Sequence, residues 1–339
     1  MAIIAFQHPF ILTAVITFIT TLVATWVLIP RLTRAGLVGV DINKVPATFS
    51  RDKIKSLKDK GYPGLPVVPR SGGIAMIMGF SAGMLVSLLI YQYNNLAGIL
   101  AALLTATLIS TIGIVEDFLP IRQIYRTLLP AIAALPLMVV TAGHTAMALP
   151  FFGSIEFGII YTLVLIPIGV MAASNLVNLL AGFNGLETGV GAIVGIALFW
   201  VAYTTGAPEA AFISMALAAA CIAFLVFNFY PAKIFPGNAA TYMIGAVIAA
   251  IAIIGNMERV AVIALVPQIA EFFLKARGWF KAENFGKLGK DNRLSYEGPT
   301  QSLTHILMKT FRPTERQLVL MLLAIQAVFG AIAIISTSW

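Results

Sequence analysis

Charged residues and cysteines are scarce in this sequence. Only 11% of the 339 residues are Asp, Glu, Lys or Arg, and there is one cysteine. A soluble domain of this length carries far more charge on its surface, so the composition excludes that class. A single cysteine excludes an intramolecular disulfide, and we interpret Cys221, which lies inside an apolar run, as a packing residue. No Lys or Arg precedes the first apolar run near residue 9, so we expect a retained span rather than a cleaved signal peptide.

Apolar sequence dominates the rest of the chain, with 59% hydrophobic residues and a mean hydropathy of +0.93. A helix that crosses a bilayer needs about 20 predominantly apolar residues. We therefore predict an all-α polytopic membrane protein with about ten transmembrane helices, built as one integral-membrane domain over residues 1–339. The apolar runs lie near 9–30, 72–92, 97–115, 127–142, 159–174, 189–204, 210–227, 241–256, 259–274 and 317–337.

The positive charges predict how these spans are oriented. Most of the 22 Lys and Arg residues fall in two long connections, 31–70 and 275–316, and all but Arg259 lie on one face if the spans alternate. The positive-inside rule then makes this face cytoplasmic and places both termini outside. Because the net charge of +8 is concentrated in connections that flank a membrane, we interpret it as topological and do not predict nucleic-acid binding.

Polar segments that are unusual for a membrane protein all fall on the predicted cytoplasmic face. Polar, glycine-broken backbone at a membrane boundary is costly unless it lines a site. We therefore predict that these segments converge on one active site. They are GVDINK (39–44), VPRSGG (68–73), EDFLPIRQIYR (116–126), NLVNLLAGFNGLE (175–187), NFYPAKIFPGN (228–238) and the last connection around 288–309.

Two carboxylates, Glu116 and Asp117, end the third predicted span. A helix C-terminus disfavours negative charge, so these residues are either ordinary boundary charges or, as we favour, groups that bind metal or handle protons. Adjacent residues on a helix diverge by about 100°, so we do not expect them to share one ion symmetrically. Arg122 and Arg126 follow at i,i+4 spacing, which suits a diphosphate if the stretch is helical; an exposed basic face is the alternative.

Asparagines mark the segment 175–187. Asn175 and Asn178 share one helix face by their spacing, and bonding to a neighbouring helix is the alternative to a ligand role. Glycines such as Gly185 follow, and they let the backbone approach a ligand closely. Asn184 offers both a donor and an acceptor, as recognition of a pyrimidine edge requires.

Two prolines, Pro231 and Pro236, forbid a regular helix in the segment 228–238. We therefore predict a re-entrant or hairpin loop there. Phe235 could stack on a flat base, and Asn238 supplies an oxygen at the start of the next span.

From GVDINK to the last span, these motifs resemble the polyprenyl-phosphate N-acetylhexosamine-1-phosphate transferase family, and within it the archaeal and eukaryotic dolichol-type members. The resemblance implies transfer of GlcNAc-1-phosphate from UDP-GlcNAc to a dolichyl (polyprenyl) phosphate, with release of UMP. It also implies Mg²⁺ as the cofactor, with Mn²⁺ as the alternative ion, and a site that faces the cytoplasm. The compact last connection favours an archaeal plasma membrane over the endoplasmic reticulum membrane of a eukaryote, and a homodimer is common in the family.

The resemblance also implies residue roles. Asn178, Asn238 and Asp117 match metal-binding positions, and Asp117, Glu116 and Arg126 match catalytic positions. We assign substrate contacts to Phe235, Asn184, Gly185, Glu187, Asn175, Lys44, Arg122, Arg277 and Arg293. Of these, Arg277 and Arg293 are candidates for binding the sugar.

Three departures from the family pattern bear on this assignment. Glu116 stands where an Asp is usual, Arg70 stands where a Glu is frequent, and Asn238 replaces the metal-binding Asp. Because Mg²⁺ prefers anionic oxygen, a neutral amide at position 238 should weaken binding by the protein alone. The ion would then arrive with the donor or depend on Glu116 or Asp117.

Other functions remain as alternatives. The same chemistry could use another UDP-N-acetylhexosamine, and an inactive relative is a minority interpretation. A transporter would place polar groups at the bilayer midplane with access from both sides. The gathering of polar segments on one face favours an enzyme, and a purely structural membrane protein would not explain it.

Overall fold

The computed structural model describes residues 9–45, 62, 64–119, 121–140, 145–149 and 153–338, which form a bundle of helices. The helices are α1 (Pro9–Arg34), α2 (Gly73–Ile90), α3 (Leu96–Phe118), α4 (Gln123–Ala133), α5 (Leu135–Val139), α6 (Ile166–Leu179), α7 (Leu186–Thr204), α8 (Pro208–Asn228), α9 (Gly237–Gly255), α10 (Glu258–Ala264), α11 (Val266–Ala276), α12 (Leu303–Phe311) and α13 (Glu315–Ile335). A π-helical turn, Tyr161–Leu165, precedes α6. Residues 46–61 and 63 of the basic connection 31–70 lie outside the described residues.

Within the described residues, eight helices are long and apolar enough to cross a membrane: α1, α2, α3, α6 with its π turn, α7, α8, α9 and α13. The predicted membrane class is therefore confirmed. The two remaining predicted spans, 127–142 and 259–274, are each broken into a pair of helices, α4–α5 and α10–α11. Pro136 and Pro267 stand in the first turn of the second member of each pair, where the missing N–H costs least. The count of ten spans and the external termini stay predictions.

Helix α9 lies at the centre of the bundle, where it packs against α2, α3, α6, α7 and α8. Glycines permit two of these contacts. A Cβ on Gly113 of α3 would lie 2.5 Å from the backbone of Ala239, and a Cβ on Gly245 of α9 would lie 2.3 Å from the carbonyl oxygen of Ala173 in α6. Small residues let membrane helices approach this closely. As a result, the C-terminal ends of α3 and α6 lie beside the N-terminus of α9.

Short strands fasten the connections in three antiparallel pairs within the described residues. Strand β1 (Val38–Val40) pairs with β2 (Val67–Pro69), β3 (Ala146–Leu149) with β4 (Gly153–Glu156), and β5 (Lys287–Leu288) with β6 (Leu294–Ser295). The first pair matters for the site because it brings the segment after β1 to the end of the bundle where α9 begins.

Candidate active site

A polar cavity of about 330 Å³ lies where the predicted segments meet. Segments 39–44, 68–73, 175–187 and 228–238 line it directly, and segment 116–126 joins through the contacts of its two carboxylates with α9. Five of the six polar segments therefore meet here as predicted, whereas the segment around 288–309 contributes no lining residue among the described ones; Phe285, just before it, does line the cavity. Its lining includes Asp41, Arg70, Asn178, Asn184, Phe235 and Asn238.

Phe235 is held in this cavity by its backbone. Its N–H donates to the carbonyl of Pro69 at the end of β2 (2.8 Å). Buried Asn228, at the end of α8, donates to the carbonyl of Ile234 (2.9 Å) and accepts from the hydroxyl of Thr188 (3.0 Å). The prolines keep the connection non-helical, as predicted, and these bonds fix an aromatic ring against the cavity.

Asp117 lies at the negative C-terminus of α3, and its carboxylate is stabilised by the positive N-terminus of α9. Its Oδ1 accepts a hydrogen bond from the backbone N–H of Asn238 (2.9 Å), so the carboxylate caps the positive N-terminus of α9. Its Oδ2 lies beside Gly237, where a Cβ would come within 2.3 Å of it. The hydroxyl of Ser71 faces this carboxylate, but no described residue donates to Oδ2 in ordinary hydrogen-bond geometry. One buried oxygen of Asp117 therefore has no hydrogen-bond partner among the described residues and lies beside Gly237, which lines the cavity, although Asp117 itself does not line it.

Glu116 has a different set of partners. Oε1 accepts from the side-chain nitrogen of Asn238 (2.7 Å) and forms an ion pair with Arg126, while Oε2 accepts from the hydroxyl of Tyr242 (2.8 Å). A buried carboxylate is tolerated when it is paired and hydrogen-bonded in this way. The two adjacent carboxylates therefore bind different groups of Asn238, its backbone N–H and its side-chain amide, and only Glu116 also binds Arg126 and Tyr242.

Amide oxygens complete the candidate metal-binding group. Because the nitrogen of Asn238 donates to Glu116, its Oδ1 is the atom left for a ligand. Asn178 also lines the cavity, and its Oδ1 accepts from Thr241 (3.0 Å). No group of three or more His, Cys, Asp or Glu side chains in the described part of the chain could hold a metal. The chemistry of the two amide oxygens and the unpaired oxygen of Asp117 nevertheless suits Mg²⁺, which favours oxygen and fills its coordination with substrate phosphates and water.

Asn184 is bound by two carboxylates: Asp41, which lies in the predicted segment 39–44, and Glu315, which the sequence analysis did not single out. Its backbone N–H donates to Oε1 of Glu315 (3.0 Å), and its side-chain nitrogen donates to Oδ2 of Asp41 (3.1 Å). Asn43 ties the same region together by donating to Glu315 (3.3 Å). These partners are far from Asn184 in sequence: Asp41 and Asn43 belong to the predicted segment 39–44, whereas the only signal for Glu315 was its acidic side chain at the start of α13.

Glu187 and Gly185 shape the backbone around Asn184. Oε1 of Glu187, in the first turn of α7, accepts from the N–H of Gly182 (2.6 Å). Gly185 adopts a left-handed conformation (φ 87°), and a Cβ there would lie 2.8 Å from the ring of Phe229. Only glycine fits this position without strain.

A second cavity, of about 770 Å³, lies on the other side of Asn178. Polar groups of Arg126, Asn175 and Tyr242 line one part, and Phe272, Phe273 and Phe280 supply an aromatic wall. Ala172, Leu176 and Ile269 also line a smaller apolar groove of about 200 Å³, so the two spaces adjoin along α6. Asn178 lines both the polar cavity and this second cavity.

The amide nitrogen of Asn175 is engaged within the bundle. It donates to the carbonyls of Thr127 (3.1 Å) and Met171 (2.8 Å). These bonds match the helix-to-helix role that was the alternative to ligand binding.

Three predicted substrate-binding arginines lie elsewhere. Arg122 precedes α4 with an extended backbone, so it does not share a helix face with Arg126. Arg277 follows the end of α11, and Arg293 donates to the carbonyl of Arg312 (3.1 Å). Among the residues that the structure describes, these three do not line either cavity.

Lys44 does not line the polar cavity, but it forms an ion pair with Asp41, which does. Its ammonium nitrogen is 2.6 Å from Oδ2 of Asp41 and 5.1 Å from the ring centre of Tyr230. The structure thus gives it an ion-pair partner within the protein.

Residues at the start of the last connection (275–316) bind the backbone of the asparagine segment (175–187). Lys275 donates to the carbonyl of Leu179 (2.6 Å), and Asn284 donates to the carbonyl of Ala181 (2.7 Å). These bonds satisfy backbone groups left open where α6 ends.

His305 is a structural residue of this connection. Its ring stacks on Tyr296 at 3.6 Å between ring centres, and Nδ1 accepts from the N–H of Gln301 (3.3 Å). Burial, and then the charges of Lys275 and Lys309, lower the pKa of His305 to about 4. The native protein therefore keeps this ring neutral.

We expect His305→Gln to reduce the acid sensitivity of folding. An unfolded histidine titrates near pH 6.5, so between pH 6.5 and about 4 the unfolded chain binds a proton that the native chain does not. Stability should fall over this interval as the pH is lowered, and Gln at 305 removes that contribution. Melting temperatures of both proteins at pH 7 and pH 5 test this; an equal drop in both would contradict it.

Several known proteins are similar to this chain over most of its length. Residues 99–256 match the glycosyl transferase family 4. A protein of Saccharolobus solfataricus is 39% identical over 337 residues, which cover 99% of this chain and 98% of that protein. A protein of Sulfolobus acidocaldarius is 35% identical over 331 residues (96% and 95%), and one of Dictyostelium discoideum is 26% identical over 362 residues (91% and 84%). The Dictyostelium protein is named UDP-N-acetylglucosamine–dolichyl-phosphate N-acetylglucosaminephosphotransferase, and the other two carry that name provisionally.

Proposed function

The chain belongs to glycosyl transferase family 4, and from that premise we propose that it transfers GlcNAc-1-phosphate from UDP-GlcNAc to dolichyl (polyprenyl) phosphate and releases UMP. One observation carries this proposal: a polar cavity and a larger cavity with an aromatic wall meet at Asn178. A transferase that joins a water-soluble donor to a lipid acceptor needs two such spaces with a common boundary.

The polar cavity suits the donor. Phe235 offers a ring on which a base can stack, and Asn184 offers hydrogen-bonding groups for the edge of the base. Arg70 supplies a positive charge for the diphosphate, which explains why an arginine is useful at this position.

The second cavity suits the acceptor. Arg126 lies in its lining as a partner for a phosphate, and the aromatic wall and the adjoining groove offer apolar surface to a prenyl chain. The groove lies along α6 within the apolar part of the bundle, which matches a lipid whose tail stays in the bilayer.

In the proposed reaction, an oxygen of the lipid phosphate attacks the sugar-bearing phosphorus, and the bond from that phosphorus to UMP breaks. A phosphate monoester is largely ionised near neutral pH, so positioning and charge neutralisation outweigh the need for a strong base. Asn178, Asn238 and Asp117 would hold Mg²⁺, which would neutralise charge on the phosphates. Arg126 orients the acceptor phosphate, and Glu116 fixes Arg126.

The basic connections at this end of the bundle support a site that faces the cytoplasm. We extend the proposal to an archaeal plasma membrane on the strength of the two similar proteins from Saccharolobus and Sulfolobus.

Lipid-extractable label from radioactive UDP-GlcNAc tests the activity. Membranes that contain the protein should convert the label when dolichyl phosphate is added, and a panel of other UDP-N-acetylhexosamines decides which sugar is used. Failure to label any lipid with any UDP-sugar would contradict the proposal. A transporter would take up labelled donor into vesicles without forming a labelled lipid.

We expect Ala172→Phe to impair use of the lipid acceptor selectively. Ala172 lines both the second cavity and the groove, so a phenyl ring there would fill the passage between them. The KM for dolichyl phosphate should rise roughly tenfold or more, because the phenyl ring would occupy apolar space that the prenyl chain fills. The Kd for UMP should stay within about twofold because the polar cavity is untouched. An equal loss for both ligands would contradict the assignment of the groove.

A further inference from the structure

A further cavity, of about 500 Å³, lies where α1 and α8 approach their C-terminal ends. The final turns of α1 supply Trp26, Val27 and Arg31, and α8 and the connection after it supply Phe227 and Lys233. None of the residues that line this α1–α8 cavity lines the polar cavity or the second cavity. The α1–α8 cavity is therefore separate from the two spaces of the proposed transfer reaction.

The two cations of the α1–α8 cavity are held by local hydrogen bonds and packing. One guanidinium nitrogen of Arg31 donates to the carbonyl of Val27, one turn earlier (3.0 Å). The backbone N–H of Lys233 donates to the carbonyl of Phe227 (2.7 Å), and the residues on both sides of Lys233 are buried. Both cationic side chains are exposed, and neither forms an ion pair with a carboxylate in the described part of the chain. Their charges are therefore available to a ligand.

Apolar surface continues from the cavity along both helices. Trp26 is 68% exposed, on a helix that is long and apolar enough to cross a membrane. Val23, one turn before Val27 on α1, and Val226, beside Phe227 on α8, are also exposed. Such side chains on membrane-spanning helices face lipid, and tryptophan concentrates at the level of the lipid headgroups. The cavity therefore joins two cations to a lipid-facing apolar surface.

This combination fits one kind of occupant. Basic pockets between membrane helices bind the headgroups of anionic lipids. A guanidinium group presents several N–H donors in a planar fork that suits phosphate oxygens, and an ammonium group adds a compact positive charge. A free phosphate ion would leave the apolar part of the cavity, formed by Trp26, Val27 and Phe227, without a partner.

We propose that the α1–α8 cavity is a binding site for an anionic phospholipid, with Arg31 and Lys233 on its phosphate and its acyl chains along Val23 and Val226. A zwitterionic phospholipid carries its own cation, which Arg31 and Lys233 would repel. The site is therefore selective for an anionic headgroup. It does not depend on the proposed reaction, because it shares no lining residue with either reaction cavity.

Fluorescence quenching of Trp26 by phospholipids with brominated acyl chains tests this in vesicles that contain the full-length protein. The difference between the wild type and Trp26→Phe gives the signal of this one tryptophan. We expect brominated phosphatidylglycerol to be enriched at Trp26 by about tenfold or more over brominated phosphatidylcholine at the same mole fraction. In Arg31→Gln with Lys233→Gln, the preference should fall below about threefold. Lys233→Gln alone should show an intermediate preference and serves if the double variant does not fold.

Lys281→Gln with Lys290→Gln is the matched control. Both lysines are exposed in the last connection, and neither lines any of the three cavities. This variant loses the same two positive charges, so it corrects for the general attraction of a basic protein to anionic lipid. Its preference for phosphatidylglycerol should stay within about twofold of the wild type.

Three outcomes would overturn the proposal. The first is equal quenching by the two lipids in the wild type, or an unchanged preference when Arg31 and Lys233 are replaced. The second is an equal loss in both double variants, which would reduce the effect to net charge. The third is displacement of brominated phosphatidylglycerol by dolichyl phosphate more effectively than by unlabelled phosphatidylglycerol, because the cavity would then belong to the lipid acceptor.

Discussion

Asp117→Asn should reduce turnover by at least about 10³-fold while leaving the protein folded. An asparagine oxygen can still accept the N–H of Asn238 and cap α9, so the packing of α3 against α9 should survive. What disappears is the anionic oxygen that has no hydrogen-bond partner beside Gly237. This position is the one place among the proposed metal ligands where the protein supplies a negative charge with no partner in ordinary geometry.

A second measurement separates metal binding from chemistry in this variant. Electron paramagnetic resonance of free Mn²⁺, titrated with protein in the presence of UMP, reports binding without turnover. We expect Asp117→Asn to weaken Mn²⁺ binding by about tenfold or more, as expected when a charged ligand becomes neutral. Asn175→Ala is the control, because Asn175 lines only the second cavity and its amide binds carbonyls. Undiminished turnover in folded Asp117→Asn would remove this residue from the mechanism.

Asn238→Asp, which restores the residue usual in the family, should reduce activity in this protein by about 10²-fold. The side-chain nitrogen of Asn238 donates to Glu116 at 2.7 Å, and an aspartate would place a second carboxylate at that distance. Glu116 already accepts from Tyr242 and pairs with Arg126, so the added carboxylate would replace its hydrogen bond with Asn238 by a like-charge contact. The departure at 238 and the departure at 116 therefore form one complementary pair.

A double-mutant cycle tests this pairing. In Glu116→Gln with Asn238→Asp, the amide and the carboxylate exchange places, and the hydrogen bond between them can form again. We expect the double variant to recover to within about tenfold of the wild type, a coupling of about 1.4 kcal/mol or more relative to the single variants. Full activity in Asn238→Asp alone, or losses that simply add, would show that the two positions are independent.

Much of the architecture follows from the sequence because bilayer physics is restrictive. Apolar runs must be helical to satisfy their backbone, and basic residues mark the end of the bundle where the connections gather. The convergence of the polar segments follows from that alone. The helix breaks at Ala134 and Leu265 could not be predicted in this way, because an apolar run of this length has the same pattern whether it forms one helix or two.

Partners within the site could not be derived in the same way. The sequence indicates that Glu116 and Asp117 diverge, but it does not show that Asp117 caps α9, since that contact spans 121 residues. Tyr242 follows Asn238 by four residues, so the two side chains lie on one face of α9, and the position of Tyr242 beside the site could have been predicted from this spacing. The clamp of Asn184 by Asp41 depends on tertiary packing of separate connections and is visible only in the structure.

Release of UMP by the purified protein in detergent tests the proposed transfer reaction most directly. The two cavities that meet at Asn178 predict that UMP forms from UDP-GlcNAc only when dolichyl phosphate is present, with one GlcNAc-diphospholipid formed for each UMP. In detergent no transport across a membrane can occur, so a transporter would release none. Release of UMP at the same rate without the lipid, or no release with it, would contradict transfer of GlcNAc-1-phosphate to dolichyl phosphate.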